Sequence, residues 1–98
     1  MSYLLQTFLP HLRLTILRLL CEQPGYEAND SLITEAAHAV GLRATRDQVR
    51  TELSWLAEQG LVTRKLFGER LVIAASTERG CDVAGGRAFV DGVKRPGP

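Results

Sequence analysis

The segment TRDQVRTELSWLAEQGLV, residues 45–62, contains a helix start, an amphipathic helix and a helix end in one continuous piece. Thr45 can accept a hydrogen bond from a backbone N–H of the first turn, and Gln48 three residues later completes the capping-box pattern. Apolar residues then recur at three- and four-residue spacing, as on the buried face of a helix, at Val49, Leu53, Leu56 and Ala57. Gly60 ends this pattern, so the segment predicts a capped helix from Thr45 to Gln59.

The residues before this helix predict another one, joined to it by a short connection. Asn29 and Asp30 are good helix N-caps, and Gly41 suits a C-cap because glycine readily adopts the left-handed backbone conformation. Between these caps, one face of the predicted helix collects the apolar residues Leu32, Ile33, Ala36, Ala37 and Val40. Residues 42–44 then lead directly to Thr45. Two helices joined by a short turn that contains glycine form a helix-turn-helix arrangement.

Two short runs after the second helix predict a β-hairpin. The predicted strands cover residues 61–66 and 70–74, and residues 67–69 provide a turn that contains glycine. Because a two-stranded ribbon is only marginally stable in water, we expect the helices to pack against it. Thr77 can cap a last short helix over residues 77–85.

The N-terminal part of the chain, residues 3–22, also predicts helix. Its apolar stripe contains Leu5, Phe8, Leu9, Leu12, Ile16, Leu19 and Leu20. Proline suits a first helical turn but disrupts a helix interior, so Pro10 favours a short helix over residues 2–8 and a main helix over 10–22, or one kinked helix. The first residues carry more apolar side chains than a three-helix core can cover. We therefore expect a homodimer that pairs through the N-terminal helix, residues 1–20; the alternative is that this helix folds back on its own domain.

Length and charge indicate one domain with an uneven charge distribution. The chain has 98 residues, which suits a single domain over residues 1–90 followed by a basic, flexible tail rich in proline and glycine over residues 91–98. The net charge is only +1, but residues 25–42 hold three acidic and no basic residues, whereas residues 43–70 hold six basic and four acidic ones. A local basic face can attract phosphates even on a nearly neutral protein.

Cysteine and histidine residues do not follow the spacing of a metal site. Cys21, Cys81, His11 and His38 match no common zinc pattern, and Cys21 lies among leucines, which predicts a small buried apolar side chain. A glycine-rich phosphate loop and a Ser-His-Asp grouping are absent from the sequence. We therefore expect no enzyme activity and no cofactor, and the sequence identifies no small-molecule ligand. The sequence carries no signal-peptide pattern and no bilayer-spanning run, so the expectation is a cytoplasmic protein without membrane association.

The order of these elements resembles the winged helix-turn-helix superfamily. Leu53–Val62 is similar to the end of a recognition helix that runs into the wing, and Ser76–Gly80 is similar to the step after the wing in many bacterial repressors; together the resemblance covers about residues 10–82. It implies a mainly α fold with a small β-hairpin wing, an α+β class. The short length and the ending Gly92–Pro96 also resemble small winged-helix proteins of Mu-like transposable phages and prophages. This second resemblance implies a phage or prophage origin and the cytoplasm of a bacterial host cell.

The resemblance implies that the second helix of the pair faces double-stranded DNA. The residues expected to contact base edges are Arg46, Gln48, Arg50 and Thr51. The residues expected to contact phosphates are Arg43, Arg64, Lys65 and Arg70. Asp47 opposes this interpretation because phosphates repel a carboxylate. The alternative is a solvated helix face beside a hairpin whose charges prevent sheet-to-sheet aggregation.

Two functions follow from these expectations. The first is a DNA-binding transcriptional regulator of phage or prophage origin. The second is a winged-helix module for protein–protein interaction within a phage or replication assembly, which the low net charge favours. Since a fold does not determine a function, both hypotheses stay open at this point.

Overall fold

The structure, a computed structural model, describes residues 2–97. Met1, part of the expected dimer segment, and Pro98, the end of the expected tail, lie outside the described residues. Over the described range the elements are a π-helical turn Leu4–Phe8, α1 Leu9–Glu22, a 3₁₀ turn Pro24–Tyr26, β1 Glu27–Asn29, α2 Asp30–Ala39, α3 Arg46–Glu58, β2 Val62–Phe67, β3 Leu71–Ser76 and α4 Glu78–Ala84.

The sheet has three antiparallel strands in the order β1-β3-β2. The predicted hairpin is present, with Val62 opposite Ser76 and Phe67 opposite Leu71. The expectation of a two-stranded ribbon is wrong, because β1 pairs with the other side of β3. A strand of three residues is too short to show an alternating pattern, and only its pairing with a distant strand defines it.

Helices α1, α2 and α3 bury a common apolar core against the sheet and α4. Its largest fully buried apolar residues are Leu12, Leu14, Ile16, Leu17, Leu20, Ile33, Val49, Leu53, Leu56 and Leu61. The buried face predicted for α3 is therefore confirmed. The face predicted for α2 is wrong at both ends, since Leu32 and Val40 are exposed while Ile33 and Ala37 are buried. Val40 lies beyond the last residue of α2, where the helical spacing no longer determines the direction of a side chain.

Local capping signals position the helices as expected. Asn29 caps α2 by accepting from the Leu32 N–H at 2.8 Å, and Gly41 after it has a φ of +87°. Thr45 and Gln48 form the predicted reciprocal capping box at the start of α3. These caps satisfy backbone N–H groups that a helix cannot pair internally.

Both chain ends contact α1. Pro10 lies in its first turn, continuous with the preceding π-helical turn, none of whose residues is buried. At the other end, the Lys94 N–H donates to the Pro10 carbonyl at 3.1 Å, and Val93 is only 4% exposed. Part of the segment expected to be a flexible tail, beginning at residue 91, thus packs against α1.

Cys21 and Cys81 form a disulfide between α1 and α4, with their Cα atoms 5.7 Å apart. The prediction that Cys21 is a small buried apolar residue is wrong, because its sulfur forms a disulfide and the residue is partly exposed. The two cysteines are 60 residues apart, so only the docking of α4 against α1 brings them together.

The arrangement of helices and antiparallel strands is α+β, as expected, and is compatible with a winged-helix fold. None of the helices within residues 2–97 is long and apolar enough to cross a membrane.

Candidate nucleic-acid interface

A buried carboxylate lies at the base of the outward face of α3. Asp30, the first residue of α2, is completely buried, and its side chain accepts from Arg46 and Arg50. The Arg46 Nε and Nη2 atoms lie 3.0 and 3.3 Å from its two oxygens. The Val72 N–H of β3 donates to it at 3.2 Å. One carboxylate therefore connects α2, α3 and β3.

The same two arginines also bind the loop before β3. Arg46 Nη2 donates to the Arg70 carbonyl oxygen at 2.6 Å, and Arg50 Nη2 donates to that oxygen as well. The side chains of Arg46 and Arg50 remain 42% and 39% exposed. Within residues 2–97 the Nη1 groups of both arginines have no hydrogen-bond partner. The Nε and Nη2 atoms of each guanidinium are thus hydrogen-bonded within the protein, and the Nη1 group remains available to a ligand.

The charge of Asp30 is stabilised by its donors. Burial alone would raise the pKa of this carboxyl, but hydrogen bonds from Arg46, Arg50 and the Val72 N–H outweigh burial and lower the pKa from 3.8 to about 2. Asp30 is therefore ionised at neutral pH. Its negative charge offsets part of the positive charge that the two arginines bring to α3.

The other two predicted base-contacting residues are engaged in helix structure. The Gln48 Oε1 atom accepts from the Thr45 N–H at 2.9 Å as part of the capping box. Thr51 is exposed, and its hydroxyl donates to the Asp47 carbonyl at 3.1 Å. A hydroxyl can still accept a hydrogen bond while it donates one, so Thr51 keeps an acceptor site toward solvent.

The four predicted phosphate-contacting residues are all exposed, but they do not form one cluster. Arg64 on β2 donates to the Ser54 hydroxyl of α3 at 2.7 Å, which fixes the hairpin against the helix. Lys65 follows it on β2, and Arg70 lies at the turn before β3. Arg43 lies separately, in the connection between α2 and α3.

Comparison with known proteins identifies relatives of this chain. It is 48% identical over 87 residues to "Uncharacterized protein gp26" of Escherichia phage Mu, and the match covers 88% of each chain. The chain belongs to the gp26 family of phage Mu. The chain is also 45% identical over 67 residues to "Uncharacterized protein" of Haemophilus influenzae. This match covers 68% of the chain and 65% of the relative. No family model matches the chain. These relatives are consistent with the expected relation to Mu-like phages.

The tip of the hairpin in this gp26-family protein is apolar and exposed. Leu66 is 72% exposed and Phe67 is 64% exposed, so Phe67 does not fold back onto the domain. Basic residues lie on both sides of the tip, Arg64 and Lys65 before it and Arg70 after it.

A second ion pair supports α3 from its other side. The Arg13 guanidinium of α1 stacks on the Trp55 ring at 3.9 Å and donates to Glu52 at 2.7 Å and to the Gly92 carbonyl at 2.9 Å. Trp55 therefore packs against the first helix. In the gp26-family chain this cluster belongs to the packing of α3 and not to its outward face.

Asp30 is the important residue that the sequence alone did not identify. Its position next to Asn29 predicts only a second possible cap, and nothing local indicates that Arg46 and Arg50 reach it from 16 and 20 residues away. The acidic character of residues 25–42 beside the basic residues 43–70 is the signal that could have suggested such a pairing. Over residues 2–97 of the gp26-family chain, no group of three or more His, Cys, Asp or Glu side chains could hold a metal ion.

Proposed function

We propose that this gp26-family protein is a winged-helix protein that binds double-stranded DNA and regulates transcription in the cytoplasm of the bacterial host of a phage or prophage. One observation carries the proposal: Arg46 and Arg50 are held side by side on α3 by Asp30 and the Arg70 carbonyl, with their Nη1 groups without partners among residues 2–97.

Fixing the arginines before binding favours recognition of bases. A free arginine loses rotamer entropy when a ligand orders it, whereas these two are ordered already. Their Nη1 groups can donate to the acceptor atoms of guanine in the major groove. Thr51, exposed one residue after Arg50, adds a hydroxyl that either donates or accepts. Gln48 contributes to base contacts only if it leaves the capping box.

The hairpin and the loop before α3 supply phosphate contacts in this proposal. Arg64, Lys65 and Arg70 on the β2–β3 hairpin would follow the backbone of the duplex, and Arg43 would bind a phosphate near the start of α3. These contacts add affinity without sequence preference.

A homodimer would place two α3 helices on two half-sites. The π-helical turn Leu4–Phe8 has no buried residue: Leu5 within it is 65% exposed, and Tyr3 just before it is 70% exposed. Residues 2–10 contain no charged side chain, so two copies could pair there without charge repulsion. Pairing would set the spacing between the half-sites.

The second candidate is a winged-helix module for protein–protein interaction in a phage or replication assembly. The exposed Leu66 and Phe67 favour it, because an apolar tip suits a pocket on another protein. The net charge of +1 also gives little long-range attraction to DNA.

Selection from random duplex DNA by the full chain at physiological salt tests the proposal, followed by affinity measurements on variants. Arg50→Ala is a poor first variant, since it leaves Asp30 with fewer partners and threatens folding. Arg50→Lys keeps a positive charge beside Asp30 but removes the planar fork of donors. We expect Arg50→Lys to reduce discrimination at one base position by about 1–3 kcal/mol.

The matched control is Arg18→Lys on α1, which should leave the selected sequence and the affinity unchanged. If no duplex is enriched, or if binding to the enriched duplex hardly changes between about 50 and 200 mM salt, DNA binding is contradicted and the interaction module is favoured.

A further inference from the structure

A groove of about 780 Å³ runs between the C-terminal end of α1 and α4, and the disulfide lies in its wall. Cys21 and Cys81 both line it and are partly exposed. Arg18, Ser76 and Arg87 line it beside them. None of the eight residues proposed to contact DNA belongs to its lining. The disulfide can therefore be reached by a small molecule from solvent, away from the proposed DNA surface.

We propose that Cys21 and Cys81 form a thiol–disulfide exchange site, which small thiols of the glutathione class reduce and their disulfides re-form while the protein stays folded. The inference is independent of DNA binding.

The two sulfurs have different surroundings, which sets the direction of exchange. Arg87 Nη2 donates to the Cys81 carbonyl at 3.3 Å, so a cation lies next to this cysteine, although Asp82 pairs with the same side chain at 3.2 Å. Cys21 lies in the last turn of α1, next to Glu22, where the negative end of the helix dipole and a carboxylate disfavour a thiolate, although the exposed Arg18 one turn earlier also lines the groove. Cys81 is therefore the better leaving thiolate.

The reduction takes place in two steps. The thiolate of a small thiol attacks the Cys21 sulfur, the bond between Cys21 and Cys81 breaks, and its electron pair remains on Cys81, which then takes up a proton. Cys21 is now joined to the small molecule by a mixed disulfide. A second small thiolate attacks the small-molecule sulfur of this bond and releases the Cys21 thiolate, which then takes up a proton. Two small thiols supply the two electrons and leave as one small-molecule disulfide. Oxidation follows the same steps in reverse.

The fold keeps the two cysteines close without the covalent bond. The Thr77 hydroxyl lies 2.8 and 3.1 Å from the Gly60 and Leu61 carbonyl oxygens, and Arg79 Nη1 donates to the Gln59 carbonyl at 3.0 Å. Further along α4, Val83 and Ala84 are buried in the core. These contacts attach α4 independently of the disulfide, so a reduced pair remains positioned to close again.

Ser76 offers an acceptor to the reduced pair. Its hydroxyl oxygen lies 3.5 Å from both sulfurs and donates to the Thr77 carbonyl at 3.0 Å. Each thiol formed by reduction can donate weakly to this oxygen. The reduced state therefore leaves no polar group without a partner at this position.

The experiment incubates the full-length protein in buffers with graded ratios of reduced to oxidised glutathione, blocks free thiols by alkylation and measures intact mass. We expect a reversible loss and return of two alkylation sites in protein whose circular dichroism stays native. Peptide mapping of samples quenched early in reduction should find glutathione on Cys21. Arg87→Ala should slow reduction about threefold, because the leaving thiolate loses a nearby cation. Lys94→Ala, which removes an exposed basic side chain outside the groove, should react at the wild-type rate.

Three results would overturn the proposal. The first is two free thiols at every glutathione ratio. The second is a disulfide that glutathione reduces only after denaturant has unfolded the chain. The third is glutathione found on Cys81, together with equal rates for Arg87→Ala and Lys94→Ala.

Discussion

Asp30 determines the direction in which two arginines of α3 extend. A buried carboxylate is strongly unfavourable unless donors surround it, and here two guanidinium groups and one backbone N–H do so. The two arginines are like charges one helical turn apart, and the carboxylate between them offsets their repulsion. Folding of the core and preparation of the proposed binding face therefore depend on the same residue.

The ion pairs of Asp30 predict how the stability of the protein changes at acid pH. The pKa of Asp30 is lowered from 3.8 to about 2, so the unfolded chain binds its proton more readily than the folded one. The stabilisation is complete above about pH 4 and is lost as the pH falls toward 2. The pKa difference corresponds to about 2 kcal/mol of free energy of unfolding. Urea unfolding followed by circular dichroism between pH 2 and 7 measures it.

Asp30→Asn is the matched variant, because it keeps the shape of the side chain and removes its titration. We expect it to lower the free energy of unfolding at pH 7 and to flatten the pH dependence between 4 and 2. The exposed Asp47→Asn is the control and should keep the wild-type dependence. Equal slopes for Asp30→Asn and the wild type would contradict the role given to Asp30.

The sequence could not predict which groups Arg46 and Arg50 bind within the protein. The position of Arg46 and Arg50 on the outward side of α3 follows from helical spacing, which is a local property. Their attachment to Asp30 and to the Arg70 carbonyl depends on how α2, α3 and the hairpin meet, which no local pattern contains.

At the scale of elements, the sequence predicts features that depend on neighbouring residues but not features that depend on contacts between distant segments. The capping box of α3, the cap at Asn29 and the glycine turn of the hairpin all involve groups within a few residues, and the structure confirms them. Strand β1 and the disulfide depend on contacts between distant segments and were missed. The exposure of Leu32 depends in the same way on which side of α2 the neighbouring elements cover.

Gly80 tests how closely α4 approaches Leu61, which lies between α3 and β2, and the end of β3. A Cβ atom at this position would lie 2.2 Å from the Leu61 carbonyl oxygen and 2.4 Å from the Ser76 hydroxyl, so the elements must move apart. We expect Gly80→Ala to lower the free energy of unfolding by about 1–3 kcal/mol. Gly97→Ala is the control, since nothing lies within 4 Å of its Cβ position. Urea unfolding measures both; equal stabilities would show that α4 separates easily from Leu61 and Ser76.

The hairpin gives a prediction that depends on the proposed DNA binding. Lys65 is exposed on β2 and can neutralise one phosphate without disturbing a buried partner. Lys65→Ala should weaken binding to all duplexes alike and reduce the slope of log affinity against log salt by about 1. Fluorescence anisotropy at several salt concentrations measures the slope. The α1 variant Arg18→Ala should retain the wild-type slope, and a retained slope in Lys65→Ala would remove the hairpin from the interface.

At the scale of the whole molecule, α1 is the element on which both chain ends converge. Its first turn binds the backbone of Lys94, its middle holds Arg13 against Trp55 and Gly92, and its last turn is bonded to Cys81. The turn Leu4–Phe8 before α1 contains no buried residue, although Phe8 packs partly against the core. An apolar segment attached to the best-anchored helix can present a rigid surface to a second copy.

Pairing through this segment is the last prediction. Leu5 is 65% exposed, so Leu5→Asp should leave the domain folded while placing a charge in an apolar interface. We expect light scattering at micromolar concentration to give the mass of a dimer for the wild type and of a monomer for Leu5→Asp. Val40→Asp changes an apolar residue of similar exposure just after the end of α2 and should remain dimeric. A monomeric wild type would exclude pairing. Loss of the dimer in Val40→Asp alone would place the pairing surface near Val40 and not near Leu5.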